Sequence, residues 1–337
     1  MNIGLVGAGE QTLQNLIPPL LQNDGVRIVA VCDLSRERGE LAAARCGGAA
    51  VFHSITEMMN ARLESTPLHA VVAGAYPAAH QELAERAIAR DLPVFVEKPP
   101  TADLAQLQAL VAAAREKKVV TGVGLNFRFA APIQRLQQLI SSPQFGEVAY
   151  IDVLHTANKP RNPLWGVAST MRAVLLAQTI HSLDLAIALG GKVIEHESRT
   201  VDARDGGLIS ELSLRFEGGA LARVLSGNLF PDFTFFIRVV GRNGHAITVN
   251  NFWELEHRLA GRQGPDGKDN KRWKDLWHPS PLDSGHARAG YHGELTAFLD
   301  AVRKKERFAC DFESLLPTYE VIEAACRPFE TGQGSSR

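Results

Sequence analysis

The chain has 337 residues and 36 Lys and Arg against 37 Asp and Glu, a formal charge of −1. That balance excludes the basic surplus that a nucleic-acid or anionic-membrane partner normally requires. The length favours two domains, and about three quarters of the unfolded chain's surface can be buried.

In chain order, NIGLVGAG reads as a buried parallel strand ending in glycines, and TLQNLIPPLLQN as a helix whose Pro pair marks a kink or turn. RIVAVCDLS, VFHS, HAVVAGAY, LPVFVEKPP and VVTGVGLN are further strands. The helices SRERGELAAARC, ITEMMNARL, PAAHQELAERAIARD and DLAQLQALVAAAREKK alternate with them. Five or six strands alternating with helices predict a doubly wound parallel sheet, a Rossmann domain over 1–125. From about 126 the periodicity changes. VAYIDVLHT, GLISELSLRF, ALARVLSGN, TFFIRVVGRNGHAITV and FWELEHRL are longer β runs joined by Gly-containing turns, with helices at 174–189 and 292–305. The second domain, 126–337, is therefore expected to be α/β with a large, mostly antiparallel sheet. RQGPDGKDNKR, 262–272, is the clearest exposed loop, and TGQGSSR a polar tail.

Four cysteines, at 32, 46, 310 and 326, form no C-x-x-C pair and no zinc-type cluster, so reduced thiols and no metal site are expected. MNIGLVGAGE lacks the basic region and cleavage site of a secretory signal. No window reaches about 18 uninterrupted apolar residues. A soluble, cytoplasmic protein is the expectation.

Gly7-Ala8-Gly9-Glu10-Gln11-Thr12 follows the first strand and opens a helix. The first glycine permits the tight turn, the second lets backbone approach a pyrophosphate, and the helix N-terminus offers N–H groups. Thr12 stands at the third fingerprint position, which predicts looser helix–strand packing. Asp33, 24 residues beyond Gly9, ends the second strand where it can accept from ribose hydroxyls, which favours NAD. Ser35, Arg36 and Arg38 follow at once and leave NADP open, since each can bind a 2′-phosphate.

VFVEKPPT puts Glu97-Lys98-Pro99 at the carboxyl end of a strand, the edge that faces the ligand crevice in an open α/β sheet. AQTIHSLD sets His181 and Asp184 three apart, on one helix face. With GLVGAG, AVVAGAYPAAH, EKP, GVGLNFRFAAPIQRL and the closing YHGELTAFLDAV, the chain resembles the Gfo/Idh/MocA family of oxidoreductases over nearly its whole length. The resemblance implies hydride transfer between nicotinamide and a sugar-like or polyol substrate. It also implies a homodimer or homotetramer formed through the open face of the second domain's sheet, and a cis Lys98–Pro99 peptide. Under it, Gly7, Gly9, Glu10 and Gln11 wrap the pyrophosphate, and Asp33, with Ser35 and Arg36 near, holds the adenosine ribose. Gly74, Ala75 and His80 run along the cofactor, and Glu97, Lys98 and Asn126 reach the nicotinamide ribose. Lys98 stabilises the alkoxide and His181 exchanges the proton, with Asp184 placed to orient its ring. Arg128, Trp165 and Arg172 are substrate-binding candidates, the last two from the segment KPRNPLWGVASTMR.

The pattern is broken at Ala177, where many family members carry an aspartate one turn before the histidine; Gln178 is a partial substitute pointing about 100° round the helix. That gap keeps other readings open: imine reduction, NAD-dependent glycoside hydrolysis, or a non-catalytic dinucleotide sensor. The alternative for Asp184 is a plain ion pair.

Overall fold

Apolar β-branched runs too short for helices become the strands of a six-stranded parallel sheet: β1 (Asn2–Val6), β2 (Arg27–Cys32), β3 (Ala50–Phe52), β4 (Ala70–Ala73), β5 (Val94–Glu97) and β6 (Thr121–Gly124), in the order β3-β2-β1-β4-β5-β6. This computed structural model describes residues 1–61, 66–203, 205–259, 273–283 and 285–331; the expected loop at 262–272 and the tail beyond 331 lie outside them. The chain divides into two compact units, Met1–Asn126 with Gly285–Tyr319, and Phe127–Ser284 with Glu320–Arg337. The contiguous division at 125/126 therefore needs one correction. Residues 285–319 return to the first unit, because α10 (Tyr291–Lys304) buries Phe298 against Phe95 of β5.

In the first unit the helices are α1 (Ile17–Leu21), α2 (Arg36–Arg45), α3 (Ile55–Asn60), α4 (Pro77–Ala89) and α5 (Leu104–Lys117). Side-chain oxygens of Ser35, Ser54 and Asp103 accept from the third-residue N–H of α2, α3 and α5, supplying donors' partners that a helix start otherwise lacks. A π-helical turn, Thr12–Leu16, precedes α1, and the Pro pair sits in the first turn after it, where missing N–H groups cost least. The strand order reverses between β1 and β4, so the crevice at their carboxyl ends is the place for a ligand.

The second unit is an eight-stranded sheet of order β14-β13-β12-β11-β7-β10-β9-β8. Its strands are β7 (Val148–Thr156), β8 (Val193–Asp202), β9 (Leu208–Phe216), β10 (Leu221–Gly227), β11 (Thr234–Gly241), β12 (His245–Asn250), β13 (Glu254–Leu259) and β14 (Trp273–Trp277). Only β7 and β10 run parallel; the other neighbours are antiparallel. Alternation buries Ile151, Val153, Val224, Ile237 and Val249 on the face where α6 (Ala131–Ile140) packs on β12 and β13 and α8 (Ile180–Gly190) on β7 and β10. Tyr150, Leu154, Leu225 and Phe236, on the opposite face, stay partly exposed.

One helical run, α7 (Thr170–Val174), a π turn (Leu175–Thr179) and α8, is long and apolar enough by composition to cross a membrane. Its most apolar window is 78% buried inside the protein, as in a core helix. The short α9 (Gly285–Arg288) and α11 (Leu316–Glu330) complete the chain, α11 being divided between the units at Tyr319.

Candidate active site

The glycine turn is fixed by sterics. Gly7 has φ of 83°, and a Cβ there would lie 2.5 Å from the carbonyl oxygen of Gly74, so only glycine fits. Thr12, expected to loosen the packing, is fully buried and its hydroxyl donates to Gly74 O at 3.1 Å. The strand-to-helix contact is tight because Gly74 itself lacks a Cβ, which would stand 2.3 Å from that hydroxyl. Gly9 has open space around its Cα, the clearance that an approaching phosphate needs. The side chains of Glu10 and Gln11 turn elsewhere, to Gln14 at 2.9 Å and to Glu97 at 3.1 Å, which leaves backbone N–H groups of the helix start for an anion.

Beside the turn lies a cleft of about 380 Å³ lined by Gly7, Gly9, Asp33, Arg38, Ser54 and Gly74 among others. Asp33 is buried and accepts from Ala8 N and Ser35 N, each at 2.7 Å, and from Arg38. Burial would raise its carboxyl, but those N–H groups and the guanidinium outweigh it and hold the group below the ordinary carboxylate range. Asp33 is thus a ready anionic acceptor at neutral pH. Ser35 caps α2, and Arg36 pairs with Glu40 on the exposed helix surface; the cleft is lined by Arg38 instead.

His80 does not line the cleft. It is fully buried, Nε2 accepting from Ala75 N at 2.9 Å and Nδ1 facing Pro99 O at 2.9 Å. Because Ala75 N can only donate, Nδ1 carries the hydrogen and gives it to Pro99. One neutral imidazole therefore joins the β4 turn to the EKP turn. Burial pulls its pKa from 6.5 to about 4, with Lys98 nearby acting the same way against the Pro99 bond. A group depressed in the folded state binds fewer protons than in the unfolded chain, so its stabilisation is complete above about 6.5 and is lost as pH falls through about 4. The loss amounts to about 3 kcal/mol, and the melting midpoint of the native protein should fall more between pH 7.5 and 4.5 than that of His80→Asn.

At the end of β5, Glu97 is buried with Oε1 on Gln11 and Oε2 on the N–H of Lys98 at 3.3 Å. The Lys98–Pro99 peptide is cis. Burial raises the Glu97 carboxyl and lowers the Lys98 ammonium, each against the pull of the other. Tyr291, which hydrogen-bonds Gln11, is likewise raised by burial and then by the Glu97 charge. It enters this cluster from α10, nearly 200 residues later. The only sequence signal for it was the closing YHGELTAFLDAV segment. Asn126 is buried and donates to Ala289 O at 2.7 Å in the same unit.

In the second unit His181 is buried in the first turn of α8, its ring stacked on Phe127 at 4.5 Å and 19°. Phe235, Phe252 and His155, a buried histidine not singled out in the sequence, continue the aromatic cluster around Phe127. Asp184 faces a different partner from the one expected. Its two oxygens take Arg128 Nε and Nη2 at 2.6 and 2.5 Å, with Asp184 1% and Arg128 14% exposed. The ion-pair alternative is the one the geometry supports, and Arg128 is engaged by it. Gln178 turns into the sheet, donating to His155 O, Ser226 Oγ and Gly227 O, and so does not replace an acid beside His181. Arg172 is also inside: its guanidinium meets Glu323 at 2.6 Å and Glu330 at 2.7 Å, the two carboxylates of α11 taking the role expected of a substrate. Trp165, by contrast, is 40% exposed and holds φ of 55°, a conformation uncommon for a bulky residue, in a loop that also contains the cis Lys159–Pro160 peptide.

A parallel sheet of this order with a glycine turn, an acceptor carboxylate after β2 and an anion-ready helix start defines a dinucleotide-binding enzyme domain. The Gfo/Idh/MocA family's models match both parts: "oxidoreductase family, NAD-binding Rossmann fold" over residues 1–125 and "oxidoreductase family, C-terminal alpha/beta domain" over 137–335. The chain belongs to the Gfo/Idh/MocA family and is an NAD-binding oxidoreductase. Among relatives, it is 29% identical to an inositol 2-dehydrogenase of Streptomyces avermitilis over 66% of this chain and 65% of that one, and 22% identical to the Arthrobacter enzyme of the same name over 91% and 87%. The alignment with the first thus spans just under two thirds of that relative's length. A dehydrogenase from Chromobacterium violaceum has 41% identity and a TM-score of 0.91, covering 99% and 96% of the two chains.

Proposed function

We propose that this protein is an NAD-dependent dehydrogenase or reductase acting on the carbinol carbon of a polyol or sugar. The observation that carries the reading is Lys98. It follows β5 directly at the ligand edge of the sheet, its backbone N–H is held by Glu97, and burial lowers its ammonium pKa below the ordinary lysine value of 10.5 against the pull of the Glu97 charge. Bound NAD supplies the hydride acceptor at nicotinamide C4. In the oxidation, Lys98 stabilises the developing alkoxide and His181 receives the hydroxyl proton; in the reduction, Lys98 stabilises the same alkoxide as it forms from the carbonyl and His181 returns the proton. His181 suits this because imidazole exchanges protons near pH 7 and the Phe127 stack restrains its ring. Exposed Trp165 offers a face for a sugar ring, and the partly exposed sheet face carrying Tyr150, Leu154, Leu225 and Phe236 is the contact we assign to a cytoplasmic homo-oligomer. The names of the curated relatives, inositol 2-dehydrogenases, support a cyclic polyol.

Incubating the protein with NAD⁺ and a panel of inositols, aldoses and amino sugars should release NADH with at least one of them. Ala177, which has no side chain to bond a sugar hydroxyl, favours imine reduction as a second reading. NADH consumption on cyclic imines with no polyol turnover would establish it in place of the first, and silence across both panels would refute both.

A further inference from the structure

At the amino edge of the parallel sheet, opposite the crevice, α5 and α10 both end at a cavity of about 210 Å³ lined entirely from the first unit. The strand register fixes its place: Val94 pairs with Thr121, which lines the cavity, whereas Glu97 pairs with Gly124 at the carboxyl end. The floor is apolar, built from Val111 and Ala114 of α5 and from Phe308 and Phe312, all buried. A cavity of about 150 Å³ suffices for a benzene ring, so this one has room for a ring or branched chain with one small polar group.

The two helix ends are built alike. Lys118 and Lys305 cap them at φ of 55° and 56°, a backbone conformation that suits glycine far better than lysine. Val119 N donates to Ala114 O at 3.1 Å and Glu306 N to Ala301 O at 2.9 Å, so backbone donors already serve the last-turn carbonyls. The lysine ammonium groups are not needed as caps, and among the described residues neither has an ion-pair or hydrogen-bond partner. The two arginines of the rim, by contrast, are engaged. Arg115 meets Glu313 at 2.6 Å, while Arg307 donates to both Asp311 oxygens at 2.5 and 3.1 Å and lies 3.7 Å from Glu313. With Glu306 also on the rim, four cations stand against three carboxylates, a surplus of one positive charge.

We propose that this cavity binds a small monocarboxylate with a compact apolar body, its carboxylate met by Lys118 and Lys305 and its body laid on the floor of Phe308 and Phe312. A monoanion cancels the surplus charge, whereas a neutral molecule leaves both ammonium groups unanswered and a dianion overshoots. The 14 residues of α10 span about 20 Å, from Tyr291 in the Glu97 cluster to this cavity. The carboxylate and the dinucleotide therefore sit at opposite ends of one helix and do not compete.

The experiment is a ligand-observed NMR titration of the full chain with phenylacetate, its neutral isostere phenylacetamide and inorganic phosphate, repeated with saturating NAD⁺. Phenylacetate should bind with a Kd of about 0.1–1 mM, the scale for about ten non-hydrogen atoms, and phenylacetamide and phosphate at least about tenfold more weakly. NAD⁺ should change none of these by more than about twofold. Lys118→Gly combined with Lys305→Gly should weaken phenylacetate by about twentyfold, while the melting midpoint stays equal or rises because glycine relaxes both caps. Ala114→Leu, which fills the floor and keeps the charges, should weaken it by about tenfold. Four results would overturn the proposal: no phenylacetate binding below about 10 mM, phenylacetamide or phosphate binding equally well, unchanged affinity in the double lysine variant, or loss of binding when NAD⁺ saturates. The last would place the probe in the crevice.

Discussion

Lys98→Met should lower kcat by about a thousandfold while the Kd for NAD⁺ stays within about threefold. Methionine nearly matches the length of the lysine stem and removes only the ammonium. The buried neighbour Glu97 keeps its bonds to Gln11 and to the backbone N–H of residue 98, so the turn should persist. What disappears is the positive charge proposed to meet the alkoxide as it forms, and a single such donor in an enclosed site is worth about two to three powers of ten. Because the ammonium is already pulled down by burial, the kcat–pH profile of the native enzyme should bend below the ordinary lysine value of 10.5, and the variant should lack that limb. Lys98→Arg is the companion, since charge without the compact geometry should not restore the rate. If Lys98→Met keeps more than about a tenth of the native rate on a substrate identified by the panel, the proposed chemistry is wrong.

Arg172→Met should destabilise the protein by roughly 3–5 kcal/mol, because it leaves Glu323 and Glu330 facing a largely buried position without their shared cation. The two carboxylates hold the guanidinium from one helix and raise its pKa, first through Glu323 and then Glu330, so the pair network clamps α11 against the start of the helical run 170–190 within the second unit. A fall of about 10 °C in melting midpoint, with NAD⁺ affinity unchanged, is the expected result in a thermal scan with parallel titration. Unchanged stability with a raised KM would instead restore the substrate role that the sequence suggested for this arginine.

The contrast between those two residues shows what a sequence can disclose. The position of Lys98 was legible because a strand end and a local tripeptide fix it. Arg172 was not, because its partners lie about 150 residues away on α11 and arginine has the same appearance in a substrate loop as in a buried pair. Asp184 was misleading for a related reason: three-residue spacing puts it on the face of His181, but the nearby Arg128 offers a bidentate fork that an imidazole cannot match. All six parallel strands and the six inner strands of the second sheet announced themselves by apolar runs or alternation. The two that did not, β8 and β14, are the edges of that sheet, exposed on both sides and rich in charge, as edge strands must be to resist pairing with another chain. Tyr291 joined the Glu97 cluster only through the return of residues 285–319, which no local pattern encodes.

The π turn at 175–179 sets the phase of the helix that contains it. The N–H of Ile180 reaches back five residues to Leu175 O, so the turn holds one residue more than an α-helix would use. Residues before it are consequently rotated by about 100° from where an uninterrupted helix would aim them. Removing one residue from this turn would leave the composition of both faces almost untouched, yet it would swing Arg172 off Glu323 and Glu330 while α8 and His181 stayed on the sheet. The length of those five residues works as a spacer between two separately anchored aims, and a one-residue deletion there should do more harm than most single substitutions within it.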